Sequence, residues 1–299
     1  MSLLWLWATL FASATQTARN AAQASLTATL GTIGATQVRF LFGLPFAVVF
    51  LAFVTFATGE AIPALTLPTV GFVTIGAIAQ IAATALMLRL METQTFAITT
   101  AWIKTEPVMV ALIAAAVLGD PISLPGLVAI ALATAGVLVM TVKPGVAGQM
   151  WRASAPAAMG VTAGVLFGAA AIGFRGGILA LPSGGFLIRA STALVLGLAI
   201  QSLVLLVYMA IFDRPAIRAC LRVWRASLGA GFLGALASQF WFIGFSLTTA
   251  ANVRTVALVE VILAQLVSRY AFGQPISPRQ MIGMMILVAG VALLLQVQP

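Results

Sequence analysis

Thr105-Glu106-Pro107 and Leu118-Gly119-Asp120-Pro121-Ile122-Ser123 recur, slightly altered, as Val259-Glu260-Val261 and Phe272-Gly273-Gln274-Pro275-Ile276-Ser277. Glu260 lies 154 residues after Glu106, and Ala289-Gly290-Val291 lies 154 residues after Ala135-Gly136-Val137. About forty residues therefore align without a gap. A duplication of this length in an apolar chain indicates two copies of one helical repeat, an organisation typical of membrane carriers.

Composition places the chain in a membrane. Hydrophobic residues make up 62% of it and charged residues 7%, against roughly 45–50% and roughly 25% in soluble domains. Its 299 residues have room for about ten spans of about 20 residues each. We expect an all-α membrane protein whose main surroundings are the lipid bilayer.

Missing residue types exclude several kinds of chemistry. The chain has no His and one Cys, Cys220, which rules out disulfides within the chain, histidine acid–base catalysis and the usual zinc sites. It also lacks the Gly-x-x-x-x-Gly-Lys-Ser/Thr loop that holds ATP phosphates. We therefore expect no cofactor, no metal and no enzymatic activity. The net charge of +9 is scattered, which favours membrane anchoring over a nucleic-acid partner.

Apolar runs between Gly, Pro and charged residues predict ten helices in two sets of five. The first set lies near 3–22, 34–57, 67–89, 95–118 and 123–142, and the second near 154–180, 185–212, 225–247, 250–272 and 277–297. These sets define two domains, residues 1–143 and 154–299. Because five is odd, the second copy enters the bilayer from the opposite side, so the repeats are inverted.

The distribution of basic residues predicts the orientation. Odd-numbered connections hold ten of the fifteen basic residues, whereas even-numbered ones hold at most Arg175 and Arg254. Positive charge is enriched in cytoplasmic loops. Odd connections are therefore expected in the cytoplasm and both termini outside, with the first helix retained rather than cleaved as a signal peptide.

The paired hairpins resemble the drug/metabolite transporter superfamily, in its ten-helix EamA type, over essentially the whole chain. Within that type they are most similar to bacterial amino-acid exporters of the YddG kind. The resemblance implies a central cavity lined by the first four helices of each half, with the fifth and tenth peripheral, and alternating access without ATP hydrolysis. Two features depart from the family pattern: Gln274 stands where an acid is usual, and the charges favour an N-out topology.

Deep ionisable residues are the first candidates for the transport site. Glu106 and Glu260 lie well inside predicted spans, and Lys104 is the sole lysine within one. Buried charges in a membrane are expensive and by default functional, although a structural hydrogen bond between helices is the alternative. Lys104 and Glu106, two residues apart, point to different sides of a helix and should not pair with each other. A zwitterionic amino acid would place its carboxylate at Lys104 and its ammonium at a glutamate.

Other candidates are a helix break and neutral or aromatic groups. Pro107 should free the carbonyl of Ile103 and bend the fourth helix, either for substrate contact or merely for packing. Trp102, four residues before Glu106, could stack on a substrate or serve as apolar filler. Neutral polar side chains within the spans either line the pore or join helices: Gln80, Thr84, Ser238 and Gln239. The glycines of the sixth helix form a stripe for close packing or sliding: Gly160, Gly164 and Gly168.

The sequence thus predicts a secondary transporter that exports small metabolites across a bacterial inner membrane, as a monomer or homodimer. Amino acids, aromatic ones included, are the leading substrate class. One alternative is proton-coupled efflux of cationic drugs. Another is exchange of phosphate esters or sugar nucleotides, provided that Lys104 meets Arg39, Arg189 or Arg254. Alternatives of another class are an intramembrane enzyme and a helical scaffold.

Overall fold

The computed structural model describes residues 3–93, 102–121, 123–142, 154–272 and 275–297. Across these ranges the chain consists of helices and connections, with no strand. The helices are α1 Leu4–Leu41, α2 Leu44–Thr58, α3 Leu67–Thr93, α4 Glu106–Leu118, α5 Leu124–Thr141, α6 Ser154–Leu179, α7 Phe186–Phe212, α8 Arg214–Arg222, α9 Trp224–Leu247, α10 Ala250–Val256, α11 Val259–Phe272 and α12 Pro278–Val297. The start of the predicted fourth helix at 95–101, the Gly273-Gln274 turn, Lys143 and Arg152 lie outside the described residues.

Seven stretches of the described chain are long and apolar enough to cross a membrane. They are Thr36–Thr58, Leu67–Met87, Leu124–Thr141, Ala155–Leu179, Phe186–Phe212, Trp224–Leu247 and Pro278–Val297. A shorter apolar helix is Glu106–Leu118. These stretches make the chain a multi-pass membrane protein, as its composition predicts.

Three predicted boundaries are wrong. The connection expected at 23–33 is helical, so α1 runs from Leu4 to Leu41; this stretch has no Pro, and the helix stops only just before Gly43 and Pro45. The connection after α7 contains the extra helix α8. The single helix expected at 250–272 is divided into α10 and α11.

The chain divides into two compact units, each drawn from both halves of the sequence. The first unit comprises Met1–Ile78 and Gly173–Thr248, and the second Ala79–Ile172 and Thr249–Pro299. The repeats at 1–143 and 154–299 are a division of the sequence and stay a prediction.

In the second unit, α5 and α12 pack directly on each other through the glycines of the repeated Ala-Gly-Val motif. A Cβ added at Gly136 would collide with the backbone of Leu287, and one at Gly290 with that of Ala133. Ala133, which precedes Gly136 in α5, meets Gly290, which follows Leu287 in α12. The two helices therefore run antiparallel. Antiparallel pairing of equivalent helices is what inverted repeats require.

The repeated serines cap the helices of this pair. The Ser123 hydroxyl accepts a hydrogen bond from the Gly126 amide at 3.1 Å, at the start of α5. Before α12, the Gln280 amide donates to the Ser277 hydroxyl at 3.3 Å, and the Ser277 amide donates to the Gln280 side chain at 2.8 Å. Such reciprocal bonds satisfy amides that the first turn of a helix leaves open. Helix capping therefore explains why the serine of Pro-Ile-Ser recurs.

In the first unit, α1 packs against α9, and α7 against α2 and α9. One buried cluster joins α1, α7, α8 and α9 through Val38, Met209, Cys220 and Ala230. At a connection, Glu60 Oε2 accepts a hydrogen bond from the Gly185 amide at 2.5 Å, at the start of α7. This contact places an acid at the positive end of a helix dipole.

Candidate functional site

The helical path through the first repeated hairpin is interrupted directly before Glu106. Trp102 and Ile103 are helical, Lys104 and Thr105 form a turn, and α4 begins at Glu106. The Thr105 hydroxyl donates to the Trp102 carbonyl at 2.7 Å. Pro107 lies in the first turn of α4, where its missing N–H leaves no gap in the hydrogen-bond ladder. The chain therefore restarts a helix at this point and does not bend a continuous one.

A second interruption lies at the corresponding place in the other repeat. Here α10 ends at Val256 and α11 begins at Val259, 153 residues after the start of α4. The Leu258 amide bonds to the Thr255 carbonyl at 3.1 Å and the Glu260 amide to the Ala257 carbonyl at 3.0 Å. These are the short bonds of a 3₁₀ turn. No Pro or Gly occurs in this stretch, so the local sequence contains no helix-breaking signal.

Two ion pairs connect the two interruptions, and each pair joins one repeat to the other. Lys104 Nζ pairs with Glu260 Oε1. Arg254 Nη2 pairs with Glu106 Oε2 at 2.5 Å. Each interrupted helix thus supplies one cation and one carboxylate, and the four charges balance. We call these four residues the crossed ion pairs.

The crossed ion pairs lie largely inside the second unit. Exposed fractions of the side chains are 16% for Lys104 and for Glu260, 21% for Arg254 and 5% for Glu106. Charges with so little access to water are tolerated only when paired. The second oxygen of Glu106, Oε1, is buried and has no hydrogen-bond partner among the described residues. Glu106 is therefore the most completely desolvated of the four, with one acceptor position left open.

Sequence reasoning singled out Lys104, Glu106 and Glu260 as site candidates and named Arg254 only as a possible cation of an anion site, not as the partner of Glu106. Lys104 and Glu106 do not pair with each other in the structure, in agreement with their spacing. Arg254 was assigned to a connection, whereas it lies in α10 and faces Glu106. Charge counting could have found it, because two deep carboxylates with one deep lysine leave one carboxylate without a cation.

Trp102 is a packing residue in this structure. Its side chain is buried and packs with Leu90 beside Ala157, Met159 and Val161. A Cβ added at Gly160 would come within 2.5 Å of the Trp102 ring, so the glycine makes room for the indole.

The other two glycines of the stripe also face the interrupted helix. A Cβ at Gly164 would lie 3.6 Å from the Trp102 carbonyl oxygen, and one at Gly168 would lie 3.3 Å from a methyl group of Val110. The predicted close packing of α6 is thus directed at the interrupted helix, on both sides of the turn at Lys104-Thr105.

The neutral polar candidates divide between the two units. In the second unit, the Thr84 hydroxyl donates to the Gln80 carbonyl at 2.8 Å, a bond within α3. In the first, Gln239 Nε2 donates to the Ser191 hydroxyl at 2.9 Å, while Gln239 Oε1 is buried without a partner among the described residues. Ser238 is half-buried on α9. Thr84 and Gln239 thus make the interhelical or backbone bonds expected of structural residues.

The cations proposed for an anion site have other contacts. Lys104 and Arg254 each pair with a glutamate of the second unit. In the first unit, Arg189 Nη2 donates to the Leu181 carbonyl at 2.5 Å. Arg39 lies with its guanidinium 5.1 Å from the centre of the Phe40 ring. In the second unit, the two cations of the proposed anion site are therefore already neutralised by carboxylates.

Apolar spans together with a mostly buried, charge-balanced cluster at two helix interruptions are features of a multi-pass membrane protein. Residues 156–296 match the EamA-like transporter family. This part of the chain is an EamA-like domain, the domain of a transporter family within the drug/metabolite superfamily.

A solved crystal structure is similar to the chain over nearly its whole length. The two are 14% identical, with a TM-score of 0.72 over 99% of this chain and 97% of the other. At this identity the likeness describes the fold alone. No curated protein matches the sequence.

Proposed function

We propose that this transporter exports small metabolites across a bacterial inner membrane, with zwitterionic amino acids as the substrate class. The observation that carries the proposal is the charge balance of the crossed ion pairs. Two cations and two carboxylates meet in a mostly buried site, and a net-neutral ligand with both charges can enter without leaving an excess charge in a low-dielectric medium. A simple cation or anion would leave one uncompensated charge in the site.

The binding step is an exchange of partners. The substrate carboxylate replaces Glu260 at Lys104, and the substrate ammonium takes the open oxygen of Glu106, which is buried and unpartnered among the described residues. An ammonium group has three N–H donors and can pair with the displaced Glu260 as well as with Glu106, so that each carboxylate of the site has a counter-charge. Charge-assisted hydrogen bonds of this kind are about twice as strong as neutral ones.

The helix interruptions supply the flexibility that alternating access needs. Hinges are a few residues at the ends of elements that absorb changes in backbone angles. Lys104-Thr105 and Ala257-Leu258 are such positions, and the ion pairs connect one to the other. A change of partner at the ion pairs therefore acts directly on both interruptions.

Export driven by gradients follows from the absence of an ATP-binding loop in the sequence. The same balance of charge disfavours the two transport alternatives. A cationic drug would need an uncompensated carboxylate, and a phosphate ester would need uncompensated cations, whereas each described charge of this site has a partner.

Counterflow of labelled amino acids in proteoliposomes tests the proposal. We expect the parent to exchange a zwitterionic amino acid and to ignore a dicarboxylate or a diamine of similar size. Lys104→Met should abolish exchange, and Arg269→Gln, which also removes one positive charge but at an exposed position, should not. Equal transport of zwitterion, dicarboxylate and diamine would refute the substrate class. Normal exchange by Lys104→Met would show that Lys104 does not bind the substrate.

A further inference from the structure

Helix α8 carries a stripe of arginines on one side. Arg214, Arg218 and Arg222 are spaced four residues apart, which places them within roughly 80° of arc around the helix. All three are exposed. We call Arg214, Arg218 and Arg222 the arginine stripe.

The opposite side of α8 is fixed to the first unit. Cys220 is 2% exposed and packs in the cluster with Val38, Met209 and Ala230. At the start of the helix, the Asp213 carboxylate accepts a hydrogen bond from the Ala216 amide at 3.3 Å. The orientation of the arginine stripe is therefore set by packing and by a cap, and does not depend on a flexible loop.

The flanking helices place the arginine stripe at a membrane surface. The apolar span α7 ends at Phe212 and the apolar span α9 begins at Trp224, so α8 connects two spans at one face of the bilayer. Large apolar side chains beside it are exposed: Phe212 at 71%, Leu221 at 56% and Trp224 at 48%. The Arg225 guanidinium lies 5.4 Å from the centre of the Trp224 ring. Exposed aromatic and basic side chains together are typical of the boundary between acyl chains and headgroups.

The positive charge on and beside α8 favours an anionic partner. Four arginines lie between residues 214 and 225, and the one acid beside them, Asp213, is used as a helix cap. We propose that the arginine stripe binds the phosphate headgroups of anionic phospholipids, with Phe212, Leu221 and Trp224 against the upper acyl chains. Guanidinium groups bind phosphate oxygens in a bidentate manner. The exposed apolar side chains select a lipid over a free anion.

Lipid binding to the full chain in an uncharged detergent tests this site. Phosphatidylglycerol or phosphatidylcholine is added, and bound lipid is counted by native mass spectrometry. The variant Arg214→Gln/Arg218→Gln/Arg222→Gln should raise the Kd for phosphatidylglycerol about tenfold or more, since each basic residue near a membrane surface contributes substantially. The control Arg89→Gln/Arg269→Gln/Arg279→Gln removes the same charge from two exposed positions and one half-buried position elsewhere and should leave that Kd nearly unchanged. Arg→Lys replacement at the three positions keeps the charge but not the bidentate geometry, so it should weaken binding less than the Gln variant does.

Several outcomes would overturn the proposal. Equal affinity of the parent for the two lipids would exclude headgroup selection. Equal weakening by both triple variants would show that only net charge matters. Complete displacement of phosphatidylglycerol by inorganic phosphate at the same concentration would show a free-anion site. If the triple Gln variant does not fold, the single Arg218→Gln variant decides, with unchanged affinity counting against the site.

Discussion

Arg254 donates a hydrogen bond to Glu106 at 2.5 Å, although the two residues are 148 positions apart and belong to different sequence repeats. Lys104 and Glu260 make the reciprocal contact. The repeated glutamate therefore has the same role in both halves: it holds a cation from the interrupted helix of the other half. This relationship gives a physical reason for the recurrence of the glutamate at an offset of 154 residues.

The first prediction concerns the energy of the Arg254–Glu106 pair. Arg254→Gln leaves a carboxylate that is 5% exposed without its cation, and should lower the free energy of unfolding by about 3–5 kcal/mol. The double variant Arg254→Gln/Glu106→Gln should lose less than the sum of the single variants, because neither charge remains alone. Chemical unfolding in detergent micelles measures the cycle. The Lys104/Glu260 cycle is its matched comparison, and strictly additive losses would mean that the pair contributes nothing.

The second prediction concerns the contact of Gly160 with Trp102. Gly160→Ala places a methyl group against the indole at 2.5 Å, and such overpacking destabilises by about 1–3 kcal/mol. Gly164→Ala on the same helix meets only an ordinary contact at 3.6 Å and should be tolerated. Thermal unfolding of both variants, and of Gly160→Ala combined with Trp102→Leu, checks the contact. An equal loss in the two alanine variants would indicate a general effect of the helix, not a collision.

The third prediction concerns Pro107. Because it lies in the first turn of α4, Pro107→Ala should change thermal stability by less than about 1 kcal/mol, yet it allows the helix to extend back through Thr105 and should slow transport. Pro125→Ala, in the first turn of α5, is the control and should leave both properties near the parent values. Transport at the parent rate by Pro107→Ala would make this proline incidental to the break.

The fold and part of the site follow from sequence for identifiable reasons. Apolar length predicts spans, and the glycine stripe of Gly160, Gly164 and Gly168 predicts that the sixth helix packs closely against a neighbour. The interruption at Ala257-Leu258 could not be predicted, because neither residue is a helix breaker. The partner of Glu106 could not be predicted either, since Arg254 reaches it only through tertiary packing. Local sequence patterns predict single helices, whereas the ion pairs depend on how those helices pack against one another.

The fourth prediction concerns topology and the thiol of Cys220. Burial raises the pKa of this thiol above its ordinary value, so the reactive thiolate is scarce at neutral pH and increases as pH rises. Cys220 should therefore label slowly even after permeabilisation, and is a poor topology probe. In a Cys220→Ala background, Arg218→Cys should label only from the cytoplasm, and Ser183→Cys, exposed in the connection before α7, only from outside. The reverse pattern would invert the orientation expected from the basic residues.

The fifth prediction separates binding from proton coupling at the two glutamates. If a glutamate carries the coupling proton, its Gln variant should still bind and exchange an amino acid but lose acceleration by a pH gradient, because Gln keeps the shape and cannot titrate. Glu106 is the stronger candidate, since its Oε1 is buried and unpartnered among the described residues, and a proton can be added there without displacing a bond. Each glutamate also holds a cation, Lys104 for Glu260 and Arg254 for Glu106, so both Gln variants should exchange more slowly than the parent, and loss of acceleration by the pH gradient is what identifies the coupling group. Counterflow and gradient-driven uptake are measured on the same proteoliposomes, where counterflow also shows that each variant is folded. Gradient acceleration that survives in Glu106→Gln would assign this carboxylate to structure or substrate binding, and coupling would then have to depend on another group.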